Sequence, residues 1–281
     1  MSLKKYIDKI PDFSKKKIVI TGCTAGIGKE AAMILAKKNA DIVILARNEE
    51  KALKTKEMLL SINPNINVDF IKFDQSDYES IDNAVKELLD KHQDFYALVA
   101  NAGILYPSKG IPSKQGYPLT IDTNFLGLRR FLDQIIDKVH DKRFILQGSL
   151  VAGLHISKKA DVLSPKNSLF KQYNISKAGV ESLWYSYAKE TKDNSFILVE
   201  PGITSTDLLR QWKQPIKWLG TTFVRIFSHS PKKASLTIIK GLEEDSNNFD
   251  YYVPKHVFTA MGYPKKKEFP KRRIREYLLH Y

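Results

Sequence analysis

Lys17-Ile18-Val19-Ile20-Thr21 runs directly into Gly22-Cys23-Thr24-Ala25-Gly26-Ile27-Gly28, and Glu30 to Asn39 follows with Ala31, Ile34 and Leu35 on one side. A β-branched run ending in glycines, then an amphipathic stretch, reads as strand, tight turn and helix. The same rhythm continues downstream. Ile42-Val43-Ile44-Leu45 precedes a helical stretch from Glu49 to Leu60, and Val68-Asp69-Phe70-Ile71 precedes another from Tyr78 to Lys91. Tyr96-Ala97-Leu98-Val99 precedes a third around Leu119 to Val139, while Phe144-Ile145-Leu146 and Phe196-Ile197-Leu198-Val199 flank a helix through Ser176 to Glu190. Strands alternating with helices predict a parallel sheet covered on both faces and joined by right-handed crossovers. Asn63-Pro64-Asn65 and Ser164-Pro165 mark loops, and no fixed-period repeat interrupts the pattern.

The chain has 281 residues, 43% of them hydrophobic and 27% charged, enough to bury one large core and inconsistent with global disorder. A single cysteine, Cys23, excludes an internal disulfide framework and a cysteine-based zinc cluster, and it suits a reducing, cytoplasmic setting. Inside the glycine turn it reads as a small packing residue rather than a reactive thiol. The six histidines form no metal-ligand spacing, so no metal site is expected. Neither a signal peptide nor a spanning helix is expected, because no apolar block follows Met1 and no run of about eighteen apolar residues occurs.

The formal net charge of +14 raises nucleic acid or anionic lipid as partners, but its distribution argues otherwise. Met1 to Lys17 carries six lysines against Asp8 and Asp12, and Pro264 to Tyr281 carries seven Lys/Arg against Glu268 and Glu276. Most of the excess therefore sits at the two ends, which read as solvated basic segments at 1–14 and 264–281 around a body at 15–263. No nucleic-acid partner is expected.

In an open parallel sheet, ligands bind beyond the carboxyl ends of the strands where strand order reverses. The first glycine turn is then a candidate phosphate site: absent side chains let the backbone approach, and the next helix aims its N–H groups at the charge. A tight strand-to-helix connection is the plainer alternative. Tyr173 and Lys177 are four apart and share one helix face. A phenol titrating near 10 beside an ammonium is a proton exchanger in the making.

Four motifs in order widen this reading. Thr21-Gly22 through Gly26-Ile27-Gly28, Asn101-Ala102-Gly103, Tyr173-Asn174-Ile175-Ser176-Lys177 and Pro201-Gly202 resemble the TGxxxGxG, NAG, YxxxK and PG motifs of the short-chain dehydrogenase/reductase family. The glycine and tyrosine–lysine spacings separate the chain from extended relatives and from enoyl reductases. Thr21-Gly22 to Glu30 and Ala46-Arg47-Asn48 look most like the retinol dehydrogenase-like branch. The resemblance implies an α/β, Rossmann-like doubly wound parallel sheet with helices on both faces, in a single domain. It also implies interconversion of a carbonyl and an alcohol by hydride transfer with a nicotinamide dinucleotide.

Residue by residue, the resemblance implies a catalytic set of Ser149, Tyr173, Lys177 and Asn124. Tyr173 would be the acid or base, and Lys177 would also bind the nicotinamide ribose. Ser149 would bond the substrate oxygen, and Asn124 would hold a water leading to Lys177. Gly22, Thr24, Ala25, Gly26, Ile27, Gly28, Asp74, Gln75, Asn101, Ala102, Gly103, Pro201, Gly202 and Thr204 would contact the cofactor. The chain departs from the usual Ser-Ser before its catalytic serine, having Gln147-Gly148-Ser149. NAD-selective relatives place an acid where Ala46 stands; the small Ala46 next to Arg47 suits the 2′-phosphate of NADP, so NADP is expected over NAD.

Residues 203–230 fall where the family has a substrate lid. Leu208, Leu209, Trp212, Ile216, Trp218 and Leu219 suit a lipophilic substrate, with attachment to a membrane surface the less favoured use of the same residues. Tyr106, Tyr117 and His155 are further candidates for the substrate side. Membership is compatible with a homo-oligomer. The competing reading is a non-catalytic dinucleotide-sensing or nucleic-acid-binding module on the same fold.

Overall fold

The structure, a computed structural model, describes residues 1–105, 111–154, 161–204, 230–256 and 261–281. Six strands fall where apolar runs predict them: β1 (Lys17–Thr21), β2 (Asp41–Ala46), β3 (Val68–Lys72), β4 (Ala97–Ala100), β5 (Arg143–Gln147) and β6 (Ser195–Val199). In β1, β2, β4 and β6 every residue after the first is buried, as strands covered on both faces require. Two more strands, β7 (Tyr251–His256) and β8 (Met261–Lys266), extend the sheet to the order β3-β2-β1-β4-β5-β6-β7-β8. All pairs are parallel except β7 with β8. The chain winds outward from β1 to β3, then returns to lay β4 against the other side of β1. That reversal opens a crevice above the carboxyl ends of β1 and β4.

Alternate strand residues feed two cores. Val19, Val43, Leu45, Phe144 and Phe196 pack with Phe95, Phe131 and Trp184 on one face. Ile18, Ile20, Ile42, Ile44, Ile145 and Ile197 pack with Ile34 and Leu35 on the other. Phe144 and Phe196 stack across β5 and β6 at 4.8 Å. The helices are α1 (Leu3–Asp8), α2 (Gly26–Lys37), α3 (Glu49–Ile62), α4 (Tyr78–His92), α5 (Leu119–Ile121), α6 (Gly127–Asp133), α7 (Leu169–Glu190), α8 (Pro231–Ala234) and α9 (Leu236–Leu242). A π-helical turn, Asp122–Leu126, joins α5 to α6.

Two helices begin earlier than the apolar spacing suggests. α2 starts at Gly26 within the glycine turn, and α7 starts at Leu169, where Ser168 Oγ accepts the Lys171 N–H at 3.2 Å. Tyr173 therefore lies within the helix.

The ends are not simply solvated. Tyr6 of α1 stacks on Tyr263 at 4.6 Å, and the Tyr263 hydroxyl donates to the Met1 carbonyl. In the C-terminal stretch Phe269 and Leu278 are buried, and Arg273 is 16% exposed. The expectation of a solvated segment at 264–281 is corrected on that account: the charges outnumber the apolar anchors in the sequence, but Phe269 packs on Trp184 of α7 and Tyr251 of β7, and the turn holding Leu278 lies against α7. Of the lid expected at 203–230, residues 205–229, with Leu208, Leu209, Trp212, Ile216, Trp218 and Leu219, lie outside the described residues, as do Tyr106 and His155. Tyr117 lines a separate hollow with Tyr78 and Arg130.

Candidate active site

The turn after β1 is shaped by what its glycines lack. Gly22 and Gly26 have φ of +69° and +56°, the left-handed region that favours glycine. A Cβ on Gly22 would lie 2.8 Å from Ala102 Cα, and one on Gly28 would lie 2.4 Å from Asn101 Nδ2 and 2.6 Å from the Gly22 carbonyl oxygen. A Cβ on Gly26 would meet nothing within 4 Å, so this glycine faces open space beside the cleft. The N-cap of α2 is Ala25, whose side chain caps none of the first-turn N–H groups. Those donors are arranged for an anion.

Asn101 and Thr21 brace this turn against the one after β4. Asn101 Nδ2 donates to the Thr21 and Gly22 carbonyls at 3.0 and 3.1 Å. Thr21 Oγ1 accepts the backbone N–H of Asn101 and Ala102 at 3.1 and 2.9 Å. The Asn101-Ala102-Gly103 segment thus fixes the mouth of the crevice. The buried Cys23 thiol donates to the Ile20 carbonyl, and burial pushes its pKa up to about 12, as a packing residue requires.

A cleft of about 440 Å³ runs over these turns. Its lining includes Gly22, Thr24, Ala25, Gly26, Ile27, Arg47, Asp74, Gln75, Asn101, Ala102, Gly103, Tyr173 and Lys177. Gly28 lies beneath it, packed on Asn101. The Asp74 carboxylate is engaged by Ser76 N and Oγ at 3.0 and 2.7 Å. Like Gly28, Asn124 is not part of this lining, and neither are Ser149, Pro201, Gly202 and Thr204. The last four follow β5 and β6, and the Ser149 carbonyl accepts Arg273 Nη2 at 2.9 Å.

Asn124 occupies the π-helical turn and is committed by its side chain. Its Oδ1 accepts the Ile104 N–H at 2.8 Å, while its Nδ2 donates to the Ile104 carbonyl and to Ser176 Oγ at 2.9 and 3.1 Å. The turn is locked in place from two sides. A Cβ on Gly127 would lie 1.9 Å from the Gln75 carbonyl oxygen, and one on Gly179 would lie 2.5 Å from the Phe125 ring.

Lys177 Nζ donates to the Gln147 carbonyl at 2.9 Å. A Cβ on Gly103 would lie 3.7 Å from that Nζ, so the ammonium sits beside the β4 turn. Burial lowers the Lys177 pKa to about 8, while the Glu181 and Glu200 carboxylates pull it upward.

Cleft residues with no site role expected from sequence include Asn48, Lys51, Phe73, Ile104, Thr123 and Gln147. Asn48 Oδ1 caps α3 by accepting the Lys51 N–H at 2.8 Å, which sets Lys51 one turn beyond Arg47. That cap was readable in Asn48-Glu49-Glu50-Lys51; Gln147 was visible only as a departure from Ser-Ser.

The donor set fits a nicotinamide dinucleotide. A glycine cradle and free helix amides stand in the middle, cations at one end, and a phenol with an ammonium at the other. Gln75 Oε1, Thr123 Oγ1 and Gln147 Oε1, from residues of the cleft, are buried without a hydrogen-bond partner. Among the described residues no cluster of His, Cys, Asp or Glu is suited to a metal, and no helix is long and apolar enough to cross a membrane.

The family model for short chain dehydrogenase matches residues 16–217. The chain belongs to the short-chain dehydrogenase/reductase family. The chain is 27% identical over 225 residues to an uncharacterized oxidoreductase of Schizosaccharomyces pombe, a match spanning 74% of the chain and 66% of that protein. It is 26% identical over 259 residues to a short-chain dehydrogenase/reductase of Emericella nidulans, covering 84% of the chain and 81% of the relative. Matches to two other fungal short-chain dehydrogenases/reductases span only 36% and 50% of those proteins. Among solved structures, an alcohol dehydrogenase from the archaeon Thermococcus sibiricus, complexed with 5-hydroxy-NADP, superposes with a TM-score of 0.65 at 22% identity, covering 83% of this chain and 93% of that one. At that identity the likeness establishes the fold.

Proposed function

We propose that this short-chain dehydrogenase is an NADP(H)-dependent oxidoreductase that interconverts a ketone or aldehyde with an alcohol. The observation that carries the reading is the meeting, in one cleft, of the glycine turn, Arg47, Tyr173 and Lys177. When bound, the nicotinamide supplies or accepts the hydride. Tyr173 gives a proton to the carbonyl oxygen in reduction and takes it back in oxidation. Lys177, one turn along α7, holds the ribose and stabilises tyrosinate by its charge. Ser149, from the turn after β5, bonds the substrate oxygen, and Asn124, pinned by its side chain to Ile104 and Ser176, holds a water that leads to Lys177. Pro201, Gly202 and Thr204 complete the nicotinamide side. The substrate class we favour is lipophilic, on the composition of 203–230. NADPH oxidation followed by fluorescence across a panel of ketones, aldehydes and retinoids tests the reading. Turnover of at least one carbonyl is expected, and none across the panel would count against it.

Cofactor choice follows from charge. Ala46 places no carboxylate where the adenosine ribose would lie, and Arg47 and Lys51 both line that end of the cleft. Charge-assisted hydrogen bonds contribute about 1.5–3 kcal/mol each, so an Arg47→Glu protein is expected to bind NADPH about 10–100-fold more weakly while NADH affinity changes little. Equal losses for both nucleotides would contradict the assignment.

The Lys177 ammonium sets a pH dependence. Its proton is held below about pH 8 in the cofactor-free chain and lost above it. A dinucleotide polyanion favours the protonated form, so NADPH affinity is expected to fall as pH rises through that value, by up to about tenfold per unit. The Lys177→Met protein should show weaker binding without this slope, as measured by titration at pH 7 and 9.

A further inference from the structure

Behind Lys177, on the side away from the cleft, lies a buried set of charges that the sequence reading did not assemble. Glu181 is one turn beyond Lys177 on α7, and Glu200 is the first residue past β6, directly before Pro201-Gly202. Both side chains are 0% exposed. Their cationic partner comes from far along the chain: Arg273, in the short 3₁₀ turn Lys271–Arg273. Its Nη2 donates to Glu181 Oε1, to Glu200 Oε1 at 2.6 Å and to the Ser149 carbonyl at 2.9 Å. Its Nε donates to Glu181 Oε2 at 3.1 Å, and its Nη1 donates to the Tyr251 hydroxyl of β7 at 3.3 Å. A Cβ on Gly148 would lie 3.5 Å from both Glu181 Oε1 and Glu200 Cγ, so the pair rests against the Gln147-Gly148-Ser149 turn.

Lys177 and Arg273 stand against Glu181 and Glu200, a set whose charges balance once Glu181 is ionised. That matters because two carboxylates held out of water beside one ammonium would otherwise leave an uncompensated charge, which is strongly destabilising. Burial raises the Glu181 pKa well above the usual carboxylate range, against the lowering pull of Arg273. We propose that Arg273 is a positioning residue of the active site, balancing the two carboxylates that face Lys177 and tying down the Ser149 turn. The inference rests on the reading of Tyr173 and Lys177 as the proton-transfer pair. Glu181 from α7 and Glu200 after β6 act on Lys177, and Arg273 and the Tyr251 hydroxyl of β7 act on those two carboxylates in turn. Burial drives the Tyr251 hydroxyl upward, so it stays neutral. Without the guanidinium the surroundings become more negative, and both the ammonium and the protonated phenol are held to higher pH.

The test is an ultraviolet difference titration of Tyr173, with the Tyr173→Phe protein as blank and NADP+ at saturation. Replacing Arg273 by methionine is expected to raise the Tyr173 midpoint by about one pH unit. The double variant E181Q/R273M removes one charge of each sign and should return the midpoint to the wild-type value, while R273K, which keeps the cation, should stay near it. If R273M does not fold, E181Q and E181Q/R273M form the comparison, and the double should titrate above the single. A guanidinium that only braces the fold predicts lower thermal stability with no shift of midpoint, and that result overturns the proposal. A wild-type spectrum with no Tyr173 ionisation below about pH 10 overturns the reading of Tyr173 itself, and this inference with it.

Discussion

A Tyr173→Phe protein is expected to bind NADPH as the wild type does and to turn over about 10²–10⁴-fold more slowly, the range contributed by a positioned general acid or base. The hydroxyl is the only atom removed. Tyr173 lies in the body of α7, which is capped by Ser168 and packed through Trp184 and Ile175, so the ring keeps its place when the oxygen goes. The cofactor-side contacts of the glycine turn and of Lys177 are untouched. Steady-state reduction of whichever carbonyl the panel identifies, together with NADPH titration, separates the two effects. Turnover within a few-fold of wild type would remove Tyr173 from the chemistry.

The second large effect concerns two glycines that are only two residues apart. Gly28→Ala is expected to lower stability by about 1–3 kcal/mol, the usual cost of overpacking. The new methyl would lie 2.4 Å from Asn101 Nδ2 and 2.6 Å from the Gly22 carbonyl oxygen, and the latter is backbone that cannot swing aside. Displacing it also spreads the brace between the turns after β1 and β4, so NADPH binding should fail along with stability. Gly26→Ala has the opposite profile. Its methyl meets nothing in the protein, leaving a strain of about 1–2 kcal/mol for the left-handed backbone, but it projects beside the cleft where phosphate would approach. Thermal unfolding combined with NADPH titration checks both. Equal stability losses, or unimpaired binding in either variant, would contradict the assignment of the turn.

The contrast between these glycines shows how far the sequence carries. Six strands were legible because residues such as Ile18-Val19-Ile20 and Ile42-Val43-Ile44 are buried on both faces and need no polar alternation. The family motifs sit at strand ends, where the crevice gathers them. β7 and β8 were not legible: Pro254 breaks the apolar run Tyr251-Tyr252-Val253, and it is tolerated because the strand carries a register shift there beside the edge. The C-terminal segment misled in a different way. Its lysines and arginines read as solvated, and single anchors such as Phe269 and Leu278 have no periodicity to announce them. Arg273 could not be placed from sequence, since its partners lie 92 and 73 residues away. Within the site, Lys51 and Gln147 join the cleft through a helix cap and a strand end, features that position a residue without marking its chemistry.

The most direct test of the account is a crystal structure of the chain with NADP+. The pyrophosphate is expected at the N-terminus of α2, the 2′-phosphate beside Arg47 and Lys51, and the nicotinamide ring between Gly103 and the Tyr173–Lys177 pair. A nucleotide bound elsewhere, or a ring facing away from Tyr173, would contradict it.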